Sequence, residues 1–136
     1  MIQVICPVCG AALEPQGTAW RCAQGHCFDV ARQGYVNLLT VTQKHSRHPG
    51  DTREMVAARR AFLDAGWYAP IAKTLADLVR RFCPETASVL DAGCGEGYYL
   101  SQLGWVPERW GIDISRDAVR YAAARDRGAH WLTATA

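Results

Sequence analysis

The chain has no run of about 18 apolar residues, so no membrane span is expected. It has no basic segment followed by an apolar run ahead of Cys6-Pro7, so no secretory signal is expected, and the cytoplasm is the expected compartment. It has no strong excess of one charge. Its 15 Lys and Arg stand against 13 Asp and Glu, and a net charge of +2 does not by itself announce a nucleic-acid binder. It has no internal repeat and no low-complexity tract, which excludes solenoid and linker-like architectures. With 49% hydrophobic, 21% charged and 10% aromatic residues, its composition is that of a folded chain. In a chain without an export signal, the six cysteines read as metal ligands or buried thiols and not as disulfides.

What is present divides unevenly. Residues 1–60 hold seven Lys or Arg against four acids, together with His26, His45 and His48, a mild basic bias that suits a phosphate backbone. Residues 1–40 hold four of the six cysteines and read as one module; residues 41–50 are polar, basic and end in Pro-Gly, as a linker does. Residues 51–136 read as two helices followed by alternating strands and helices, which implies a parallel α/β sheet. Asp51 and Glu54 suit a capping-box start for the first helix. Its apolar positions are Met55, Val56, Ala58, Phe62 and Leu63. Pro70 suits the first turn of the second helix, whose apolar stripe is Ile71, Leu75, Leu78, Val79 and Phe82. Strands are expected at Ala87–Asp91, Trp110–Asp113 and Ala129–Ala134, with helices over Gly97–Leu103 and from Ser115 to Arg127.

Cys6-Pro-Val-Cys9 and Cys22-x3-His26 are separated by 12 residues. Zinc takes four soft or borderline ligands in a tetrahedron, and a Cys-x2-Cys turn points two sulfurs at one ion. Cys6, Cys9, Cys22 and His26 are therefore the candidate zinc ligands; Cys27 is the alternative fourth ligand, with His26 favoured by its spacing. So short a segment buries little core, so the metal is expected to carry its folding. Four protein ligands leave no open position, which marks a structural site.

The second constellation is Val89-Leu90-Asp91-Ala92-Gly93-Cys94-Gly95-Glu96-Gly97. Gly93 and Gly95 let backbone approach a ligand closely, and Gly97 permits a tight turn into the next helix. Dinucleotide sites use such a loop to hold a pyrophosphate. Here Asp91 and Glu96 would repel one, and suit instead the ammonium and sulfonium of S-adenosylmethionine. Asp113 follows Asp91 by 22 residues, the spacing of a ribose-hydroxyl acceptor at the next strand's end. Cys94 reads as a small side chain filling a tight loop and not as a nucleophile.

These residues, with Phe28-Asp29, Gly34-Tyr35-Val36-Asn37-Leu38-Leu39, Pro49-Gly50-Asp51, Arg59 through Gly66 and Asp91 through Tyr99, resemble the RlmA family of 23S ribosomal RNA guanine-N1 methyltransferases. The resemblance covers essentially the whole chain in order. It implies a zinc-ribbon-like module (1–40) that helps recognise a 23S rRNA hairpin, a linker (41–50), and an incomplete Rossmann-like class I methyltransferase domain (51–136) carrying only the first three strands. It also implies S-adenosylmethionine and Zn2+ as cofactors, a cofactor contact from Tyr68, and a possible homodimer. In such an enzyme, guanine N1 attacks the sulfonium methyl in line, so the protein's work is positioning. No covalent cysteine is needed, and no residue here suits a general base for N1. Family members are longer, so an alternative is a truncated, non-catalytic zinc- and RNA-binding fragment. A third reading, a dinucleotide-dependent oxidoreductase, is opposed by Asp91 and Glu96. The isolated chain is expected to show no turnover, and to self-associate through an uncovered edge and apolar face.

Overall fold

The computed structural model describes residues 2–43, 47, 49–85 and 87–135; Lys44, His45, Ser46 and His48 of the expected linker, and Ala136, lie outside the described residues. Three short strands come first: β1 (Leu13–Gln16), β2 (Ala19–Cys22) and β3 (Cys27–Asp29). They form an antiparallel sheet in the order β1-β2-β3. Then follow β4 (Tyr35–Asn37), α1 (Arg53–Asp64), α2 (Ala69–Phe82), β5 (Ser88–Ala92), α3 (Tyr98–Ser101), β6 (Glu108–Asp113), α4 (Arg116–Arg125) and β7 (His130–Thr133). The second sheet is parallel throughout, in the order β4-β7-β6-β5. This is a zinc-ribbon-type module joined to a Rossmann-like α/β sheet.

Alternation along β6 and β7 decides what covers each face. Trp110, Ile112 and Leu132 lie among Val4, Cys6, Leu13 and Cys22 of the first module, whereas Trp131 faces Val119, Ala122 and Ala123 of α4. The sheet is thus closed by α4 on one face and by the zinc module on the other. The small residues of α4 bring that helix close, and Trp131 fills the space beneath it. A Cβ on Gly111 would lie 2.3 Å from the Trp131 ring, and one on Gly97 would lie 2.8 Å from it. The Trp131 indole N–H donates to the Asp126 carbonyl at 2.6 Å, which fixes the ring.

Several expectations change on contact with the structure. Tyr35–Asn37, placed by the sequence in the first module, pair with β7 in the second sheet. Residues 129–136, expected as a half-built edge, contain β7, which is an inner strand because β4 covers it; the open edge carrying the loop motif is β5. The N-cap of α1 is Thr52 and not Asp51: its hydroxyl accepts the Met55 N–H at 3.3 Å. Asp51 is occupied elsewhere, in an ion pair with Arg59. Finally, of the apolar stripe of α2 only Val79 packs against the core. The helix packs through Ala72 and Ala76, while Ile71, Leu75, Leu78 and Phe82 stay exposed alongside Leu90 of β5. Helical periodicity identified an apolar face without showing that anything among the described residues covers it.

Gly111→Ala must displace the pinned indole, so it is expected to cost about 1–3 kcal/mol by overpacking. Adding Trp131→Leu should recover part of that loss, since the two sites share one space. Urea unfolding of the three variants measures both effects, and an unshifted midpoint for Gly111→Ala contradicts this packing account.

Candidate metal centre and cofactor-binding loop

Two tight turns present the candidate metal ligands. In the first, the Gly10 N–H donates to the Cys6 carbonyl and the Cys6 N–H to the Ala11 carbonyl. In the second, the Gly25 N–H donates to the Cys22 carbonyl and the Cys22 N–H to the His26 carbonyl. The ligand atoms of Cys6, Cys9, Cys22 and His26 all fall within 4.8 Å of one another. Cys27 is exposed and stands outside this group.

The separations test whether zinc fits. Tetrahedral bonds of ordinary Zn–S and Zn–N length place two sulfurs about 3.8 Å apart and a sulfur and a nitrogen about 3.5 Å apart. Cys9 and Cys22 sulfurs are 3.7 Å apart, and His26 Nδ1 lies 3.4 Å from Cys22 Sγ and 3.6 Å from Cys6 Sγ. These are the edges of a zinc tetrahedron, and a poor set of hydrogen bonds. Burial works against the Cys22 thiolate, but the backbone at His26 and Gln24, and then the His26 ring, bring its pKa down to about 6. The donor set therefore fits a structural zinc ion held by three sulfurs and one imidazole.

At the carboxyl ends of the second sheet, β5 delivers Asp91 and then the loop Gly93–Gly97. All three glycines have positive φ, between 55° and 86°. Gly93 and Cys94 N–H groups both donate to the Ile112 carbonyl, at 2.8 and 3.0 Å. Asp113, at the end of β6, closes the loop: its carboxylate accepts the Gly95 N–H at 2.9 Å and the Ser115 N–H at 2.8 Å. Burial, and after it the charge of Asp113, holds the Asp91 carboxyl above the usual carboxylate range. Two neighbouring carboxylates of this kind favour a cationic ligand. Cys94 is buried, and burial followed by the charges of Asp91 and Asp113 pushes its thiol well up, so it is no nucleophile.

Glu96 goes elsewhere. Only 2% exposed, it accepts from Arg125 of α4 at 2.6 Å. Arg125 also donates to Asp64 at the end of α1, at 2.9 Å. The guanidinium thus ties the loop to two helices. Burial raises the Glu96 pKa, and Arg125 opposes that rise. No spacing rule picks out Arg125, because the contact joins positions 29 residues apart. Arg59 was also missed as a site neighbour, and its guanidinium lies 3.9 Å from where a Cβ on Gly95 would stand. Tyr68 caps the start of α2 and meets Phe62 edge-to-face, with centroids 5.0 Å apart. A cavity of about 800 Å3 lies away from this chemistry, between the zinc module and the amino ends of β6 and β7.

Cys22→Ser is expected to abolish stoichiometric zinc and unfold β1–β3, whereas Cys27→Ser keeps the metal; elemental analysis of the purified variants decides. Arg125→Met strands a buried carboxylate. It should cost toward the lower end of about 3–5 kcal/mol, since Arg125 itself is part-exposed. Asp64→Asn, at an exposed position, should cost under about 1 kcal/mol. Equal denaturant midpoints for these two variants would refute the lock.

Residues 4–47 match the family described as "RlmA, N-terminal", a zinc ribbon. A 23S rRNA (guanine(748)-N(1))-methyltransferase of Streptomyces fradiae is 45% identical over 123 residues, covering 87% of this chain and 43% of the relative. A Micromonospora griseorubida protein named for guanine-N1 methylation of 23S rRNA is 42% identical over 139 residues, covering 87% of this chain and 46% of the relative. A Bacillus subtilis protein named for the same reaction is 31% identical over 140 residues, covering 95% of this chain and 48% of the relative. The chain therefore spans a little under half the length of the curated relatives it matches. Residues 4–47 thus match the N-terminal zinc ribbon of the RlmA family, and the chain as a whole is similar to RlmA-type 23S rRNA guanine-N1 methyltransferases over a little under half of their length.

Proposed function

We propose that this chain carries the zinc module and the first half of the cofactor site of an S-adenosylmethionine-dependent methyltransferase acting on guanine N1 of 23S rRNA. The observation that carries the reading is the loop itself: Gly93–Gly97 closed by Asp113, with Asp91 beside it as a second carboxylate. The names of the relatives supply the reaction and the RNA.

The residues divide the work. Asp91 takes the ligand's ammonium group. Gly93 and Gly95 let backbone close on it. Asp113 already holds the loop through one lone pair on each oxygen, and offers the remaining lone pairs to ribose hydroxyls. Gly97 lets the loop turn against Trp131. Glu96 serves the site from behind, by anchoring the loop to Arg125. Tyr68 lines the approach from α2. Bound S-adenosylmethionine supplies an activated methyl group, so the protein's remaining task is to orient the acceptor and exclude water. The zinc module presents an RNA hairpin, the compartment is the cytoplasm, and a homodimer fits the bare faces of α2 and β5. Among the described residues, no helix is long and apolar enough to cross a membrane.

The second reading, a zinc- and RNA-binding fragment without methyl transfer, is favoured by those same bare faces. Tritium transfer from labelled S-adenosylmethionine to 23S rRNA separates the two. Transfer by this chain alone rejects the fragment; without transfer, which a half-site also predicts, S-adenosylhomocysteine binding supports the methyltransferase reading and its loss supports the fragment. Calorimetric titration with S-adenosylhomocysteine tests the site directly. Asp91→Asn should weaken binding about ten- to a hundredfold, the loss of one charge-assisted bond. Because the Asp91 carboxyl titrates above the usual range, ligand affinity should fall on acidification earlier than for an ordinary carboxylate. The Asp91→Asn variant should be flat across that window. Failure of the wild-type chain to bind the ligand at any pH would sink the reading.

A further inference from the structure

Three aromatic rings stand in the open at the junction of α1 and α2: Phe62 is 45%, Trp67 72% and Tyr68 41% exposed. They differ from the bare aliphatic stripe of α2 in being aromatic, and Phe62 and Tyr68 are in contact with each other. Below them, Leu63, Ala72 and Tyr98 form a buried cluster, with Tyr99 packed against it. Tyr98 and Tyr99 follow Gly97 directly, so the rings stand at the rim of the cofactor loop. Phe62 and Tyr68 meet at 85°, a corner rather than a stack, which leaves a ring face unpaired. On α1, which carries Phe62, Arg59 pairs with Asp51 and lies 3.9 Å from where a Cβ on Gly95 would stand, and Arg60 pairs with Asp64 and lies 4.8 Å above the Tyr121 ring.

We propose that Phe62, Trp67 and Tyr68 form a stacking platform for an unpaired RNA nucleobase delivered to the rim of the cofactor loop. The proposal rests on the methyltransferase reading for its choice of ligand. A base modified at a Watson–Crick edge must leave its stack, and a flipped base is held by aromatic faces. Exposed rings are also how single strands are held without sequence readout, because every base has a face that stacks. A protein partner would find here a corner of perpendicular rings edged by charge, which is a poor continuous apolar contact. A nucleobase needs only one free face.

Fluorescence anisotropy with an end-labelled single-stranded RNA, and with the same strand carrying abasic sites, tests the platform on the full chain. Trp67→Ala and Phe62→Ala should each weaken binding of the intact strand about five- to a hundredfold, the effect of losing one stacked base. Trp67→Phe should keep most of the affinity, and the abasic strand should be insensitive to all three changes. Equal losses on intact and abasic strands would place the contact on the backbone and overturn the proposal. So would unchanged affinity, or no binding of either strand by the wild-type chain. Self-association removed by Trp67→Ala, with RNA affinity unchanged, would assign the rings to a second copy and overturn it too. S-adenosylhomocysteine titration of the same variants separates the two readings. Ligand binding without stacking rejects the platform alone, and stacking without ligand binding rejects the cofactor assignment alone.

Discussion

The indole of Trp131 lies across Gly111 of β6 and reaches Gly97 in the loop, so close that neither position tolerates a Cβ. Its N–H is held by the Asp126 carbonyl beyond α4. One side chain thereby sets the spacing of the sheet, the helix covering it and the glycine loop at its end. Gly97 is consequently a packing residue as much as a turn residue, the role the third glycine plays in dinucleotide loops. A smaller ring would leave the loop without a floor, and a bulkier β6 would push it off the strand end. Geometry at the candidate cofactor site is thus inherited from the core.

On the opposite face the zinc-ribbon-type module takes the place of a helix layer. Cys6 and Cys22 are members of the same apolar cluster as Ile112 and Leu132. The candidate ligands therefore also cover the sheet, and the free energy of a zinc ion bound there would be shared between the two units. β4 strengthens that link, since it leaves the first module to pair with β7. An apolar core of ordinary size could not form from residues 1–40 alone, and the structure shows where the deficit is met: part of the module's core is the sheet.

The chemistry-bearing residues were legible because they are local or periodic. Two knuckles 12 residues apart, a glycine at every second position, and an acid one strand later are patterns a linear chain can display. The structure brings Cys6, Cys9, Cys22 and His26 together, and it places Asp113 on the Gly95 N–H. What could not be read was the partner of each group. Glu96 looks like a loop acid in the sequence, yet its partner Arg125 lies on α4, with Asp64 of α1 on the same guanidinium. Tyr35–Asn37 is too short to announce a strand, and it becomes one only because β7 offers an edge. The stripe on α2 shows the converse failure: periodicity records which face is apolar, and exposure depends on what is laid against it.

The three acids around the loop therefore separate by burial. Glu96 is removed from water, and an ionised carboxylate there is tolerable only with a cation in contact, which Arg125 provides. Its charge is spent on structure, and the salt bridge neutralises it before any ligand arrives. Asp91 and Asp113 keep partial contact with solvent, and the charge of Asp113 adds to burial in raising the Asp91 pKa. Among the described residues, Asp113 alone of the pair is stabilised by backbone N–H groups, so Asp91 bears the cost of their proximity. A ligand with a positive end relieves that cost on binding, whereas a pyrophosphate increases it. In the cofactor site proposed above, the charge of the ligand's other end would then select between S-adenosylmethionine and a dinucleotide, with one carboxylate locked and two available.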